Sequence, residues 1–320
     1  MESYRFRALM KETIWGGGRI AGFKGFESGG RKIGESWEIS GVEGSESVVE
    51  GGEWDGRSIS DLIGALGERL VGGRVLRRYG SEFPLLVKFI DAKDDLSIQV
   101  HPDDETARRH GHRRGKAEMW YVMESEERAK LRVGLKRWIT PRVYSRLVRD
   151  GEIGGATCEY RVREGDVFYI PPGRIHAICG GTFLAEIQQT SDITYRIYDY
   201  GRRDGEGRLR ELHTKKASEA IDYRVERDYQ THYIGATDRR VGLVRTPYFT
   251  TSLYDVREGM EADFSWIDSF VVLIGLKGEG KLKGEDGDEI RIKGGETILL
   301  PATTGKVYIE GEIKMLETHV

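Results

Sequence analysis

The strongest constraint on the fold is a unit that occurs twice: Gly165 followed by five residues and Pro171, and Gly295 followed by five residues and Pro301. In each copy Gly-Asp or Gly-Glu makes a turn, an alternating apolar strand follows, and the proline stops the ladder by withholding its N–H. Another strand with a glycine-rich turn precedes each copy, most plainly Phe270 to Leu276 running into Lys277-Gly278-Glu279-Gly280. Elsewhere the 43 glycines punctuate short runs such as Phe83 to Ile90, Ser97 to Val100, Met119 to Met123, Val167 to Ile170 and Phe183 to Ile187. Such runs predict a mainly β chain, and the repeat predicts two related barrels trimmed by a few short helices. At ~150 residues per domain, 320 residues fit two domains, expected over 1–228 and 229–320. One helix is expected over Thr140 to Asp150, with Thr140 as cap, Pro141 in the first turn and Gly151 just past the end. Ser60 is the expected cap of a second, with Leu62, Ile63, Leu66 and Leu70 on one face. Shorter helical turns should follow Pro102 and His213.

Fifty Lys and Arg against 53 Asp and Glu leave a net charge of -3, so no basic excess exists to neutralise a nucleic-acid backbone. The longest apolar run, Phe270 to Leu276, falls far short of the ~20 residues that a membrane-spanning helix needs. Met1-Glu2-Ser3-Tyr4-Arg5-Phe6-Arg7 lacks the basic start and apolar stretch of a secretory signal, which makes the cytoplasm the expected compartment. Cys158 and Cys179 make no C-x-x-C motif and are expected as buried fillers. Oligomeric state is not legible.

The two copies of the repeat differ after the proline. The first continues Pro172-Gly173-Arg174-Ile175-His176 and the second Ala302-Thr303-Thr304-Gly305-Lys306, so only the first offers a metal ligand there. The pattern G-x5-P-x-G-x2-H, met by Gly165, Pro171, Gly173 and His176, resembles the second motif of the cupin superfamily, whose members are double-sheet jelly rolls. Gln99 and His101 stand at i and i+2, on one face of a strand whose other face carries Ile98 and Val100. Glu118 lies in the strand-like run Ala117 to Val122, where an inward carboxylate needs a charge partner or a metal. Together Gln99, His101, Glu118 and His176 offer two nitrogens and two oxygens, a set that suits zinc and tolerates iron, cobalt, nickel or manganese. Spacing alone leaves a second reading of His176 open, as a hydrogen-bonded structural residue. His110 and His112, set among Arg108, Arg109, Arg113 and Arg114, read as a solvated loop, and His213, His232 and His319 show no partner.

Five ordered segments make a more specific resemblance. Phe83 to Lys88, Leu96 to Asp104, Lys116 to Trp120, Pro171 to Ala177 and Thr190 to Tyr200 are similar to the type I mannose-6-phosphate isomerases, zinc-dependent cupins, and to their short bacterial and archaeal branch. Coverage runs from Trp15 to about Leu212, and the C-terminal barrel matches in general form. The resemblance implies that Gln99, His101, Glu118 and His176 are zinc ligands and that Arg196 is the catalytic arginine. It also implies that Lys88, Lys116, Glu35, Glu186 and Asp192 line the sugar pocket. Ile178 stands where longer members have a tyrosine, and Tyr198 to Arg203 replaces their lysine-bearing loop. This leaves the substrate phosphate to scattered cations such as Lys116, Arg202 or Arg203.

The implied reaction interconverts mannose 6-phosphate and fructose 6-phosphate through an enediol, which needs a base, an electrophile and charge stabilisation. Glu186 and Lys88 are both candidates for the proton carrier, with a buried salt bridge between them as the alternative. Arg196 reads either as stabiliser of the enediolate or phosphate, or as a strand-edge partner of Asp192 or Asp199. Two other classes share the residues: an iron-dependent cupin oxygenase, since two His and one carboxylate also describe facial-triad sites, and a cupin that binds a sugar phosphate without converting it.

Overall fold

The computed structural model describes residues 1–203 and 205–320. The first part of the chain lays down β1 (Leu9–Gly17), β2 (Ile33–Ser40), β3 (Leu85–Ala92), β4 (Ile98–Val100), β5 (Glu118–Ser125), β6 (Lys130–Leu135), β7 (Thr157–Arg161), β8 (Val167–Ile170), β9 (His176–Ile178), β10 (Thr182–Gln189) and β11 (Tyr195–Tyr198). They form a six-stranded sheet in the order β1-β2-β3-β10-β5-β8 and a five-stranded sheet in the order β11-β4-β9-β6-β7. A third, seven-stranded sheet holds β12 (Val241–Arg245), β13 (Thr250–Val256), β14 (Met260–Asp263), β15 (Val271–Gly284), β16 (Glu289–Lys293), β17 (Thr297–Leu300) and β18 (Lys306–His319). The chain is mainly β, as its glycine-punctuated runs predict.

The six-stranded sheet is buried on both faces. Leu85, Val87 and Phe89 of β3, Met119 and Tyr121 of β5 and Phe183, Ala185 and Ile187 of β10 share one core with Ile59, Leu62 and Leu70 of the helical segment and with Phe270, Val272 and Ile274 of the third sheet. The alternate residues Ile90, Trp120, Val122 and Leu184 turn the other way, against Leu131, Val133 and Ile178 of the five-stranded sheet. Each such apolar side chain contributes roughly 1.5–3 kcal/mol by leaving water. Polar residues held on that same inward face therefore stand out.

The repeat is real at atomic level. Gly165 and Gly295 take φ values of 91° and 86°, and the four-residue strands β8 and β17 follow each. The Asp166 carboxylate accepts the Arg163 N–H at 2.9 Å, and the Glu296 carboxylate accepts the Lys293 N–H at 3.1 Å. The strand before the second copy departs from expectation. Lys277 to Gly280 is no turn: β15 continues through it to Gly284 beside β18, with a register shift between Gly275 and Lys277 and Gly278 at φ 75°. A bulge bends the strand without ending it.

The helix after Thr140 forms over Pro141–Arg149, its cap hydroxyl accepting the Val143 N–H. Short helices follow Pro102 and His213, over Asp104–Arg109 and Thr214–Ala220. The second cap is Ser58 and not Ser60: Ser58 and Asp61 satisfy each other's backbone N–H groups in a capping box, and the helix runs Ile59–Leu66 before Gly67 ends it. Cys158 and Cys179 are free, the first half-buried and the second buried.

Gly134 of β6 sits at φ 75°, and a Cβ there would stand 2.1 Å from the buried Tyr229 ring. Gly134→Ala is expected to cost about 2–4 kcal/mol from left-handed backbone and overpacking. The urea midpoint should fall accordingly with an unchanged slope. A shift below about 0.5 kcal/mol would show that the Tyr229 ring yields freely.

Candidate functional site

Period two places Lys88 (β3), Glu186 (β10), Glu118 and Trp120 (β5) on the inward face. Glu186 lies directly across from Lys88 on one side and Trp120 on the other. In the second sheet Gln99 of β4 is in register with His176 of β9 and with Arg196 of β11. Cross-strand Cβ atoms are ~4.5–5.5 Å apart, so His176, Gln99 and Arg196 make a row.

At the start of that row His101, Glu118 and His176 bring ligand atoms within 4.8 Å of one another, and among the described residues no other three His, Cys, Asp or Glu do so. All three are buried. His101 Nδ1 donates to the Ile193 carbonyl at 2.7 Å and His176 Nδ1 to the Arg174 carbonyl at 2.8 Å. Each imidazole is thereby fixed with Nε2 as the lone-pair nitrogen. Both Nε2 atoms face Glu118, at 3.4 Å for His101 and 3.2 Å for His176. His101 Nε2 and both Glu118 oxygens are buried without a hydrogen bond. Burial, with Lys116 nearby, pushes His101 down to about 3, and burial lowers His176 as well. Burial alone would raise Glu118, but the Lys116 ammonium holds it well below the usual carboxylate range. Acceptors thus face acceptors with no proton between them, an arrangement that a divalent cation resolves. The donor set of two imidazoles and a carboxylate fits zinc and its neighbours. The Gln99 amide nitrogen lies 3.3 Å from His176 Nε2, and rotation about its last bond would turn the amide oxygen toward the same cluster.

Beside this cluster lies a cavity of about 180 Å³. Glu35, Lys88, Gln99, Lys116, Glu186, Asp192 and Arg196 wall it, so it unites seven of the residues expected from sequence. It is below the ~300–1,000 Å³ of drug-sized sites and suits a small polar molecule. His101, Glu118 and His176 sit one layer behind, reached through Gln99 and through Lys116, whose Nζ is 3.2 Å from Glu118. A larger groove of about 750 Å³, between residues 74–79 and 240–252, contains none of the expected residues.

Lys88 and Glu186 do pair, at 3.5 Å, and Lys88 also reaches Glu35 at 3.4 Å. Burial alone would lower Lys88, but Glu35 and Glu186 outweigh it and raise it. Lys88 is therefore a fixed positive charge. Burial, then the charge of Glu118, raises Glu186. Its Oε2 accepts the Trp120 Nε1–H at 3.0 Å, while Oε1 is buried without a hydrogen bond. Burial works on Glu35 too, but Lys88 and the Trp37 Nε1–H, which donates at 2.5 Å, keep Glu35 low.

Arg196 has no carboxylate partner among the described residues, so the strand-edge ion pair with Asp192 or Asp199 does not form. Asp199 is taken instead by Arg202 and Arg210. Arg196 Nη1 donates to the Glu211 carbonyl at 2.9 Å, and its Nε is buried without a partner. Burial and the charge of Arg210 lower its pKa. Arg202 and Arg203 do not wall the cavity: Arg202 turns to Asp199 and the Asp95 carbonyl, and Arg203 donates to the Gly207 carbonyl at 2.6 Å.

Sequence reasoning missed Arg210, Trp15, Trp37 and Thr194, all on the cavity wall. Arg210 arrives because the segment ahead of His213 folds back along β11. The His213 N–H donates to the Arg196 carbonyl at 2.7 Å, and the Arg196 N–H donates to His213 Nδ1 at 3.2 Å. No spacing rule marks such a return. Three further histidines also have partners: His110 joins the Tyr195 hydroxyl and Glu219, His232 joins Asp228, and His319 joins Glu317. Among the described residues, no helix is long and apolar enough to cross a membrane.

The catalytic-domain profile of phosphomannose isomerase type I matches residues 4–136, and that of the mannose-6-phosphate isomerase cupin domain matches residues 241–320. The mannose-6-phosphate isomerase ManA of Bacillus subtilis (strain 168) is 33% identical over 319 residues, 98% of this chain and 98% of its own. The mannose-6-phosphate isomerase of Streptococcus mutans serotype c is 29% identical, over 98% of this chain and 96% of its own. The crystal structure of the mannose 6-phosphate isomerase from Bacillus subtilis superposes with a TM-score of 0.90 at 31% identity, covering 100% of both chains. With identity of that order along its whole length, and both of its ends matched by domains of one enzyme, the chain belongs to the type I phosphomannose isomerases, aldose–ketose isomerases with a cupin domain.

Proposed function

We propose that this chain interconverts mannose 6-phosphate and fructose 6-phosphate through an enediol, with Gln99, His101, Glu118 and His176 holding a zinc ion. The observation that carries this reading is the cluster of mutually facing acceptors on His101, Glu118 and His176, set directly behind a polar cavity that contains the Lys88–Glu186 pair. Held by these residues, zinc would supply Lewis-acid polarisation of the substrate's carbonyl and hydroxyl oxygens. Glu186 is the proton carrier. Its raised pKa and unbonded Oε1 suit a carboxylate that takes the C2 proton and returns it to C1, and Trp120 fixes its orientation. Lys88 keeps its proton, holds Glu35 and Glu186 apart, and favours the charge that develops on the sugar oxygens. Arg196, unpaired and one strand from Gln99, stabilises the enediolate. Lys116, Glu35 and Asp192 bind the sugar hydroxyls from the cavity wall. We read residues 1–228 as the catalytic cupin barrel and 229–320 as a second, metal-free barrel that packs against it.

Purified protein given mannose 6-phosphate, with fructose 6-phosphate read by a coupled dehydrogenase, is expected to turn over. Binding without conversion would leave a sugar-phosphate-binding cupin instead. Arg196→Ala is expected to lower kcat by about 10²-fold, the scale of one lost charge-stabilising group. Metal content should not change. An unaltered rate would return Arg196 to a structural role.

A further inference from the structure

Resting on the sugar-phosphate reading, we propose that Arg210 is the phosphate anchor of the cavity, with Asp199 as its positioning residue. Three observations converge on this. First, Arg210 walls the cavity from the segment whose Glu211 and His213 bond to Arg196 of the edge strand β11, and since His176, Gln99 and Arg196 lie in register across the sheet, this is the side away from the metal cluster. A hexose 6-phosphate needs that order: reacting carbons at one end of the six-carbon chain, phosphate at the other.

Second, Arg210 is built into place. Its Nε donates to Asp199 Oδ2 at 2.7 Å and its Nη2 to Asp199 Oδ1 at 2.5 Å, leaving Nη1 without a partner among the described residues. Asp199 is buried, and although burial alone would raise it, Arg210 and Arg202 keep it ionised. A guanidinium gripped on one edge offers its other edge in a fixed direction.

Third, the local charge lacks an anion. Arg202 and Arg210 share the buried carboxylate of Asp199 and Arg196 pairs with none, so three guanidiniums stand near one buried carboxylate, a net charge of about +2, while the Glu211 side chain points to solvent. Arg210 stands close enough to lower the pKa of Arg196, whose Nε is buried and unbonded. A phosphate monoester carries about -1.5 to -2 near neutrality and accepts several such bonds. Of the cations expected from sequence, Lys116 walls the cavity but its Nζ is 3.2 Å from Glu118, and neither Arg202 nor Arg203 reaches the wall.

The test is Arg210→Met in the full chain with its metal. KM for mannose 6-phosphate should rise about 10- to 100-fold, the scale of a lost charge-assisted bond, with the loss falling on KM more than on kcat. Inhibition by inorganic phosphate should weaken by a similar factor, and Arg210→Lys should recover part of both. Asp199→Asn keeps Arg210 but loosens it, and should raise KM by a smaller factor. Calorimetric binding of inorganic phosphate to wild type and Arg210→Met needs no turnover. Should the isomerase reading fail, Arg210-dependent phosphate binding would still uphold the anchor. Unchanged KM and unchanged phosphate affinity in Arg210→Met would overturn it, as would a loss confined to kcat.

Discussion

His101→Ala and His176→Ala are each expected to release the metal and lower kcat at least about 10³-fold, because a metal's charge stabilisation is worth several kcal/mol. The chain should stay folded. The cluster sits at the edge of two well-packed cores, and neither core needs an ion to close, unlike a zinc finger. Removing one imidazole also relieves the contact between its Nε2 lone pair and the Glu118 carboxylate. Metal content by plasma mass spectrometry, circular dichroism and turnover on the same sample separate these effects. Wild-type turnover in a metal-free variant would end the metal reading, and a variant that unfolds would move these histidines from chemistry to stability.

Glu186→Gln is the second large effect, expected at about 10²- to 10⁴-fold in kcat with metal retained, the range for loss of a proton-transfer group. The carboxamide keeps the shape and can still accept the Trp120 N–H, so the loss isolates proton transfer. The pH profile carries the sign. Glu186 must be ionised to act as base, and burial raises its pKa. Activity should therefore fall as pH drops through a limb above the ordinary carboxylate value of 4.5. Lys88→Met removes the cation that opposes this shift, so its limb should move further up. If Glu186→Gln remained active while Lys88→Met lost all turnover, Lys88 would be the proton carrier.

What was legible in the sequence divides by range. The repeat at Gly165 and Gly295 and the period-two runs are local, and they place Lys88, Glu118 and Glu186 on one face of neighbouring strands. The i, i+2 spacing of Gln99 and His101 likewise survives folding, with Ile98 and Val100 turned into the opposite core. Features that depend on the returning chain did not show. Arg210 reaches the cavity only because Asp199 and β11 capture the segment ahead of His213, and Asp199 chooses Arg202 and Arg210 over Arg196. Caps compete at close range: Ser58 wins over Ser60 because Asp61 stands three residues on and returns its bond. Lys277 to Gly280 looks like a turn by composition, yet cross-strand pairing with β18 carries the strand through it.

Dependence of isomerisation on a metal held by His101, Glu118 and His176 is what every other proposed catalytic role here stands on. Its most direct test is the mannose 6-phosphate to fructose 6-phosphate rate of one preparation before chelation, after chelation, and after zinc is restored, with bound metal measured at each stage. Rate and metal are predicted to fall together and return together. A rate that persists after the metal has gone would contradict the claim.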